Sequence, residues 1–235
     1  MKLTSRDNPK VKHWTKLARD GRYRKSKGRA LIEGPHLVQA AVAAGIEIHA
    51  LLVSEKARAE AGAIVLSDRV FAGIVDADTP QGIAAEISIP AGKAEGDTVF
   101  LEGVQDPGNV GAIIRSAAAF GIKSVVLDRA CADPWAPKTL RAGMGGHFQV
   151  AIDSAFDERL KAFKGTLACT MVRGGSALGD IPKPVGWIFG GEGQGVSAAV
   201  ERLAKLRITI PMAPGTESLN VAAAAAICFY ETFRR

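Results

Sequence analysis

Apolar positions in this chain fall into short continuous runs, separated by stretches in which they recur three and four residues apart. That alternation is the signature of buried strands joined by amphipathic helices. Over residues 9–20, Val11, Trp14, Leu17 and Ala18 share one side and predict a helix. A strand is expected over 29–33, a helix over 35–44 stopped by Gly45, and a strand over 46–53. Runs at 64–66 and 83–89, the second after the turn residues Thr79-Pro80-Gln81-Gly82, complete a small α/β unit. Residues 91–96 have linker composition and divide a first domain, 1–90, from a second, 97–235. The second reads as strands at 98–101, 124–127, 148–152, 166–170, 185–189 and 206–210. Helices are expected at 109–120, near 136–142, and at 156–163, 197–204 and 219–233. The fold class is therefore α/β, a small amino-terminal α/β domain followed by a domain on a mainly parallel sheet covered on both faces.

Composition narrows the function classes. The 235 residues suffice for two modest cores, and 47% hydrophobic with 23% charged residues is globular composition. No apolar run approaches the roughly 18 residues of a membrane span, and the amino terminus is basic without a signal-like apolar core. A soluble, cytoplasmic protein is expected. Cys131, Cys169 and Cys228 make no CxxC pair and no cluster with His13, His36, His49 or His147, so reduced thiols and no metal are expected.

The net charge of +6 is unevenly placed: residues 1–30 hold eleven basic side chains against Asp7 and Asp20, a local +9, which leaves −3 for the remainder. Such a block, with Lys10, Lys12, Arg22, Arg24, Lys25 and Arg29 near Trp14 and Tyr23, suits a nucleic-acid backbone with base stacking. It suits a solvated basic face equally well.

Three loops carry polar residues at strand ends, where parallel sheets bind small molecules. In Asp106-Pro107-Gly108-Asn109 a forced turn leads into a helix for which Asn109 is a natural cap. Arg115 lies off that helix's apolar stripe, among Gly111, Ala112, Ser116 and Ala119, and is either a site residue approached closely by a partner or a surface arginine. Gly190-Gly191-Glu192-Gly193-Gln194-Gly195 follows an apolar strand, and its glycines either expose backbone groups to a ligand or make a plain turn. As a GxGxxG dinucleotide loop it fails at Ala198. From Ile210 to Asn220, Pro211 and Pro214 prevent regular pairing, and Ser218 or Asn220 caps the last helix. That helix is apolar nearly all round, as in a subunit interface or a central buried helix. No GxxxxGK, GxSxG or HExxH motif is present.

In order and spacing, the stretches 106–117, 190–195 and 210–221 resemble the three motifs of the SpoU (TrmH-like) RNA 2'-O-ribose methyltransferases. Ser5-Arg6-Asp7-Asn8-Pro9-Lys10-Val11-Lys12, Leu31-Ile32-Glu33-Gly34 and Thr79-Pro80-Gln81-Gly82-Ile83 are similar to that family's L30e-like substrate-binding domain, so the resemblance covers nearly the whole chain. It implies S-adenosylmethionine as cofactor, a carboxy-terminal trefoil knot, and a homodimer through the carboxy-terminal domain. It also implies an RNA substrate, with ribosomal RNA ahead of transfer RNA. By position, it assigns the cofactor to Gly190, Ile210, Met212 and Leu219, and catalysis to Asn109, Arg115, Glu192, Ser218 and Asn220. Ala222 and Gly143 stand where serine is common in the family. Because a guanidinium keeps its proton, Arg115 is expected to stabilise a developing alkoxide and hold a phosphate rather than act as a base. Two other classes compete: a non-catalytic RNA-binding ribosome assembly factor, and a nicotinamide-dependent oxidoreductase resting on the glycine loop.

Overall fold

The computed structural model describes residues 2–57, 62–77, 79–92 and 95–234. Part of the expected linker, at 93–94, lies outside them. Among the described residues, five amino-terminal strands form a mixed sheet in the order β1-β4-β3-β5-β2. They are β1 (Lys2–Leu3), β2 (Arg29–Glu33), β3 (Ile48–Ser54), β4 (Ile64–Leu66) and β5 (Ile83–Ser88). β5 runs antiparallel between β2 and β3, while β3 and β4 are parallel.

Strand alternation divides the packing. Leu31 of β2 joins a core with α1 (Pro9–Arg19) and α4 (Asp68–Ile74), whereas Ala30 and Ile32 face α3 (Pro35–Ala43). α1 starts where expected, with the Asn8 side chain accepting from the Lys10 N–H and Pro9 in the first turn.

Seven strands form the second sheet, all parallel, in the order β10-β12-β9-β11-β6-β7-β8. They are β6 (Thr98–Glu102), β7 (Ser124–Leu127), β8 (Ala151–Asp153), β9 (Thr166–Thr170), β10 (Ser176–Ala177), β11 (Val185–Gly190) and β12 (Leu206–Thr209). Val99, Leu101, Trp187 and Phe189 point toward α5 (Pro107–Ala119) and α9 (Val221–Phe233). Phe100 and Ile188 point toward α7 (Phe156–Ala162) and α8 (Ala198–Glu201). The chain leaves β6 toward β7 and β8, then returns to build β9, β11 and β12 on the other side. The carboxyl ends of β6 and β11 thus flank the switch point at which open parallel sheets bind ligands.

Several short elements differ from expectation. β1, β10, α4 and α2 (Gly21–Lys27) are additional, and α8 is a single turn. Residues 146–148 form a 3-10 turn instead of opening a strand, because Met144 (φ 45°) and Gly145 (φ 85°) turn the chain in the left-handed region after α6 (Pro137–Gly143). The small residues of α5 accommodate α6: a Cβ at Gly111 would overlap the Thr139 carbonyl and Ala142. Gly143 is explained likewise, since a side chain there would strike the His147 ring. Burial pushes that imidazole down to about 4, so it is neutral at physiological pH and its Nε2 donates to the Pro134 carbonyl at 2.8 Å.

The two units share apolar packing. Trp135 and Leu140, from the second, complete the cluster containing Ala30, Ile32, Leu37 and Val38. Arg24 is only 4% exposed; its Nε and Nη2 donate to Asp133 Oδ2 at 2.9 and 2.5 Å, and its Nη1 to the Leu17 carbonyl at 2.6 Å. Arg141 meets Asp76 at 3.1 Å across the same junction.

Trp14 is buried rather than free to stack on bases, and donates to Glu86 Oε2 at 2.9 Å. Glu86 Oε1 accepts from His13 Nε2 at 3.0 Å and from Arg29 Nη1 at 2.6 Å. Burial pushes the Glu86 carboxyl up, but these hydrogen bonds from His13, Arg29 and Trp14 outweigh it and hold the group below its ordinary value of 4.5. A lowered folded value stabilises the fold above the unfolded carboxylate range and loses that stabilisation as pH falls through it. Glu86→Gln should therefore lower stability by about 2 kcal/mol at pH 7 and flatten the loss of melting temperature below about pH 4.5. A variant whose acid limb parallels the parent's would contradict this account.

Candidate functional site

Three loops meet at the carboxyl edge of the second sheet. Asp106, rather than Asn109, caps α5, its Oδ1 accepting from the Asn109 N–H at 2.9 Å. Asn109 is thereby placed inside the first turn, with its amide free to reach across. Its Nδ2 donates to Glu192 Oε1 at 2.8 Å, and its Oδ1 accepts from Asn220 Nδ2 at 2.9 Å. Asn220 Nδ2 also lies 3.2 Å from Glu192 Oε1, while Asn220 Oδ1 caps α9 by accepting from Ala222 N–H at 2.9 Å and Ala223 N–H at 3.3 Å. One residue from each polar motif thus enters a single hydrogen-bonded cluster.

Beside the cluster lies a cavity of about 330 Å³ bounded by the ends of β9, β11 and β12 and the start of α9. Gly190, Ile210, Met212 and Leu219 all line it, and Ser218 stands at its wall. The glycine loop folds tightly: Gly195 N–H donates to the Gly191 carbonyl at 2.9 Å, and Gly191 N–H to the Glu102 carbonyl at 2.8 Å. A Cβ at Gly190 would run into the backbone of Gly195 and Val196, and one at Gly191 into the Gly103 carbonyl. Gly193 (φ 90°) and Gly195 (φ 65°) occupy the left-handed region. These glycines are required by close packing as well as by any ligand. An apolar floor, exposed backbone and one carboxylate at the rim fit an adenosine bearing a cationic sulfonium, and the volume lies in the range of small-molecule sites.

A larger cavity of about 670 Å³ opens on the other side of the same loop, lined by Asn109, Glu192, Gln105 and Asp128 among others. Arg115 stands apart from both cavities. It is exposed, lies six residues or about 9 Å along α5 from Asn109, and makes no hydrogen bond or ion pair among the described residues. Sequence reasoning missed Asp106, Ala224 and the segment after β9, Met171 and Val172, which completes the cofactor-sized cavity. Their position at strand and helix ends was the signal that could have found them.

Burial pushes the thiols of Cys131, Cys169 and Cys228 up to about 12, 11 and 12, so none is poised as a nucleophile. Of the basic candidates, Lys10, Lys12, Arg22 and Lys25 are exposed, with Lys12 3.0 Å from Asp7. Arg24 and Arg29 are instead engaged by Asp133 and Glu86, and Arg24 is too buried to meet a phosphate. No helix among the described residues is long and apolar enough to cross a membrane.

Residues 97–230 match the SpoU rRNA Methylase family, and residues 8–85 match the MRM3-like substrate binding domain. The chain is 35% identical to the 23S rRNA (guanosine(2553)-2'-O)-methyltransferase RlmP of Bacillus subtilis, over 97% of each protein. An AdoMet-bound rRNA methyltransferase from Sinorhizobium meliloti superposes with a TM-score of 0.85 at 29% identity, covering 100% of this chain and 97% of that one. A second crystal structure, of an RNA 2'-O ribose methyltransferase, gives 0.81 at 30% identity, covering 100% of this chain and 98% of that one.

Since the fold itself forbids a side chain at Gly190, the cavity is better tested from α9. Ala224→Phe should fill it and weaken S-adenosylmethionine binding at least about tenfold, a loss of about 1.4 kcal/mol, without lowering the melting temperature. Calorimetry showing parental affinity would move the cofactor elsewhere.

Proposed function

The chain belongs to the SpoU rRNA methylase family, and we propose from that premise that it methylates a ribose 2'-hydroxyl in ribosomal RNA. It is an RNA 2'-O-ribose methyltransferase with S-adenosylmethionine as methyl donor. The observation that carries this reading is the meeting of Asn109, Glu192 and Asn220 at the rim of the cavity lined by Gly190, Ile210, Met212 and Leu219. Ribosomal RNA is favoured over transfer RNA by the similarity to RlmP along nearly the whole chain. In place of a dinucleotide loop running into a helix, the glycine loop closes on itself through the bridge between Gly191 and Gly195.

Bound in the cavity, S-adenosylmethionine supplies a methyl group already activated on a sulfonium. Ile210, Met212 and Leu219 would hold the cofactor against the apolar wall, and the backbone around Gly190 would supply polar contacts. Asn109, Glu192 and Asn220 fix the three loops beside this cavity, and Ser218 stands at its wall. Arg115, exposed on α5 outside both cavities, is assigned the phosphate next to the acceptor and the charge that develops on its 2'-oxygen, so the acceptor ribose lies along α5 rather than inside either cavity. Residues 1–90 form the RNA-binding unit, whose exposed cations include Lys10, Lys12, Arg22 and Lys25; 91–96 is the linker and 97–235 the transfer unit. The carboxy-terminal segment threads the family's trefoil knot, consistent with β12 lying between β9 and β10 while α9 returns beneath β11. A cytoplasmic location is part of this reading.

The chain acts as a homodimer. One side of α9 is buried through Val221, Ala225, Cys228 and Phe229, but Ile227, Tyr230 and Phe233 are exposed, and Phe120 packs against the latter two rings. Sedimentation should give twice the 24.6 kDa chain mass, and Tyr230→Asp with Phe233→Asp should restore the monomer. A parent chain that sediments as a monomer at micromolar concentration would rule out this assembly.

Mapping 2'-O-methylation in RNA from cells with and without the gene should show one ribosomal site lost. Loss confined to a transfer RNA would reassign the substrate, and no loss anywhere would overturn the proposal. Arg115→Ala should slow single-turnover transfer by about a hundredfold or more while cofactor affinity stays near the parent's. Arg115→Lys should fail too, because an ammonium lacks the planar fork. Loss of cofactor binding together with rate would instead make Arg115 a structural residue.

A further inference from the structure

The amino-terminal unit carries a groove of about 400 Å³ between α1 and α4. Four cations border it: Arg6, Lys12, Lys16 and Arg19, all exposed. Its floor is apolar, from Val11 and Val70, and no carboxylate lines it. Among the described residues the one acid paired with these cations is Asp7, 90% exposed at the side chain and 3.0 Å from Lys12.

Two of the four are held in place by backbone. Arg6 Nη2 donates to the Arg69 carbonyl at 3.3 Å, and Arg19 Nη2 to the Gly73 carbonyl at 3.1 Å. Lys16 Nζ is steadied 5.5 Å from the Tyr23 ring centroid. Lys12, Lys16 and Arg19 follow an i, i+4, i+7 spacing on one face of α1, so their Cβ atoms follow one another about 5–6 Å apart. Three residues beyond Gly73, Asp76 meets Arg141 of α6, which packs on α5, the helix that carries Arg115. The chain that forms the α4 wall of the groove thus reaches a contact with the second unit three residues later.

We propose that this α1–α4 groove is the backbone anchor of the RNA substrate, taking successive phosphates of one strand on Lys12, Lys16 and Arg19. Exposed cations along one face of α1, beside a groove whose lining holds no carboxylate, suit a phosphodiester strand, which releases counterions on binding. The proposal rests on the ribosomal RNA reading above and specifies which surface of the first unit holds that RNA. The basic residues of α2, Arg22, Lys25 and Lys27, lie outside the groove and serve as the comparison.

The test uses the full chain and deproteinised ribosomal RNA from cells lacking the gene, titrated across salt concentrations. The combined Lys12→Gln, Lys16→Gln, Arg19→Gln variant should bind at least about tenfold more weakly at low salt. Its log–log salt slope should be shallower by about 2 units, as expected for three phosphate contacts. S-adenosylmethionine affinity should remain the parent's. Thr15→Glu, which places a negative charge in the groove and leaves every cation, should weaken RNA binding in the same direction.

Neutralising Arg22, Lys25 and Lys27 together should change the slope less. Parental slope and affinity in the groove variants would overturn the anchor, and so would an equal loss from the α2 set, which would show a diffuse basic face. A parent chain that neither binds nor methylates this RNA would instead bring down the ribosomal RNA reading.

Discussion

One carboxylate oxygen ties together the three loops at the carboxyl edge of the second sheet. Glu192 Oε1 receives the amides of Asn109 and Asn220, which come from α5 and from the cap of α9, while Glu192 itself belongs to the loop after β11. Three segments far apart in sequence are thereby fixed to one point by charge-assisted hydrogen bonds, stronger than those between neutral partners. Asn220 uses both ends of its amide, one for the cluster and one for the first N–H groups of α9. The start of that helix and the wall it gives the cavity are consequently set by the same contact that positions Glu192.

Much of this arrangement was legible in the chain. The continuous apolar runs around Val99, Val125 and Trp187 specify strands buried on both faces, and nothing but a parallel sheet uses so many of them in alternation with helices. The motif residues at strand ends were visible for the same reason, since a sheet that is covered on both faces leaves only its carboxyl edge for chemistry. Short elements were not legible. α2 buries only an arginine, so its apolar pattern is silent, and a two-residue strand such as β10 has no period to read.

Charge was harder to interpret than hydrophobicity. Arg24, Arg29 and Trp14 lie within one basic stretch, yet their partners are 109, 57 and 72 residues away. A local charge count cannot see a carboxylate delivered from another element. The result is a redistribution: side chains that looked available to nucleic acid hold the first unit together and dock it on the second. The cations left exposed lie along α1 and α2. Likewise, Asn109 has a cap-forming side chain, but Asp106 three residues earlier takes the cap and releases it for the cluster.

Trp135 and Leu140 sit inside the apolar cluster of the first sheet, and Arg24 closes on Asp133 beside them. A boundary sealed by shared core and a largely buried ion pair does not hinge freely, because separating the two units would expose both. The spacing between α1 and the carboxyl edge of the second sheet is then a constant of the folded chain. An RNA anchored on α1 as proposed would be measured at the other end, so the nucleotide presented for reaction would be chosen by length and shape, as with a caliper, before any base is read.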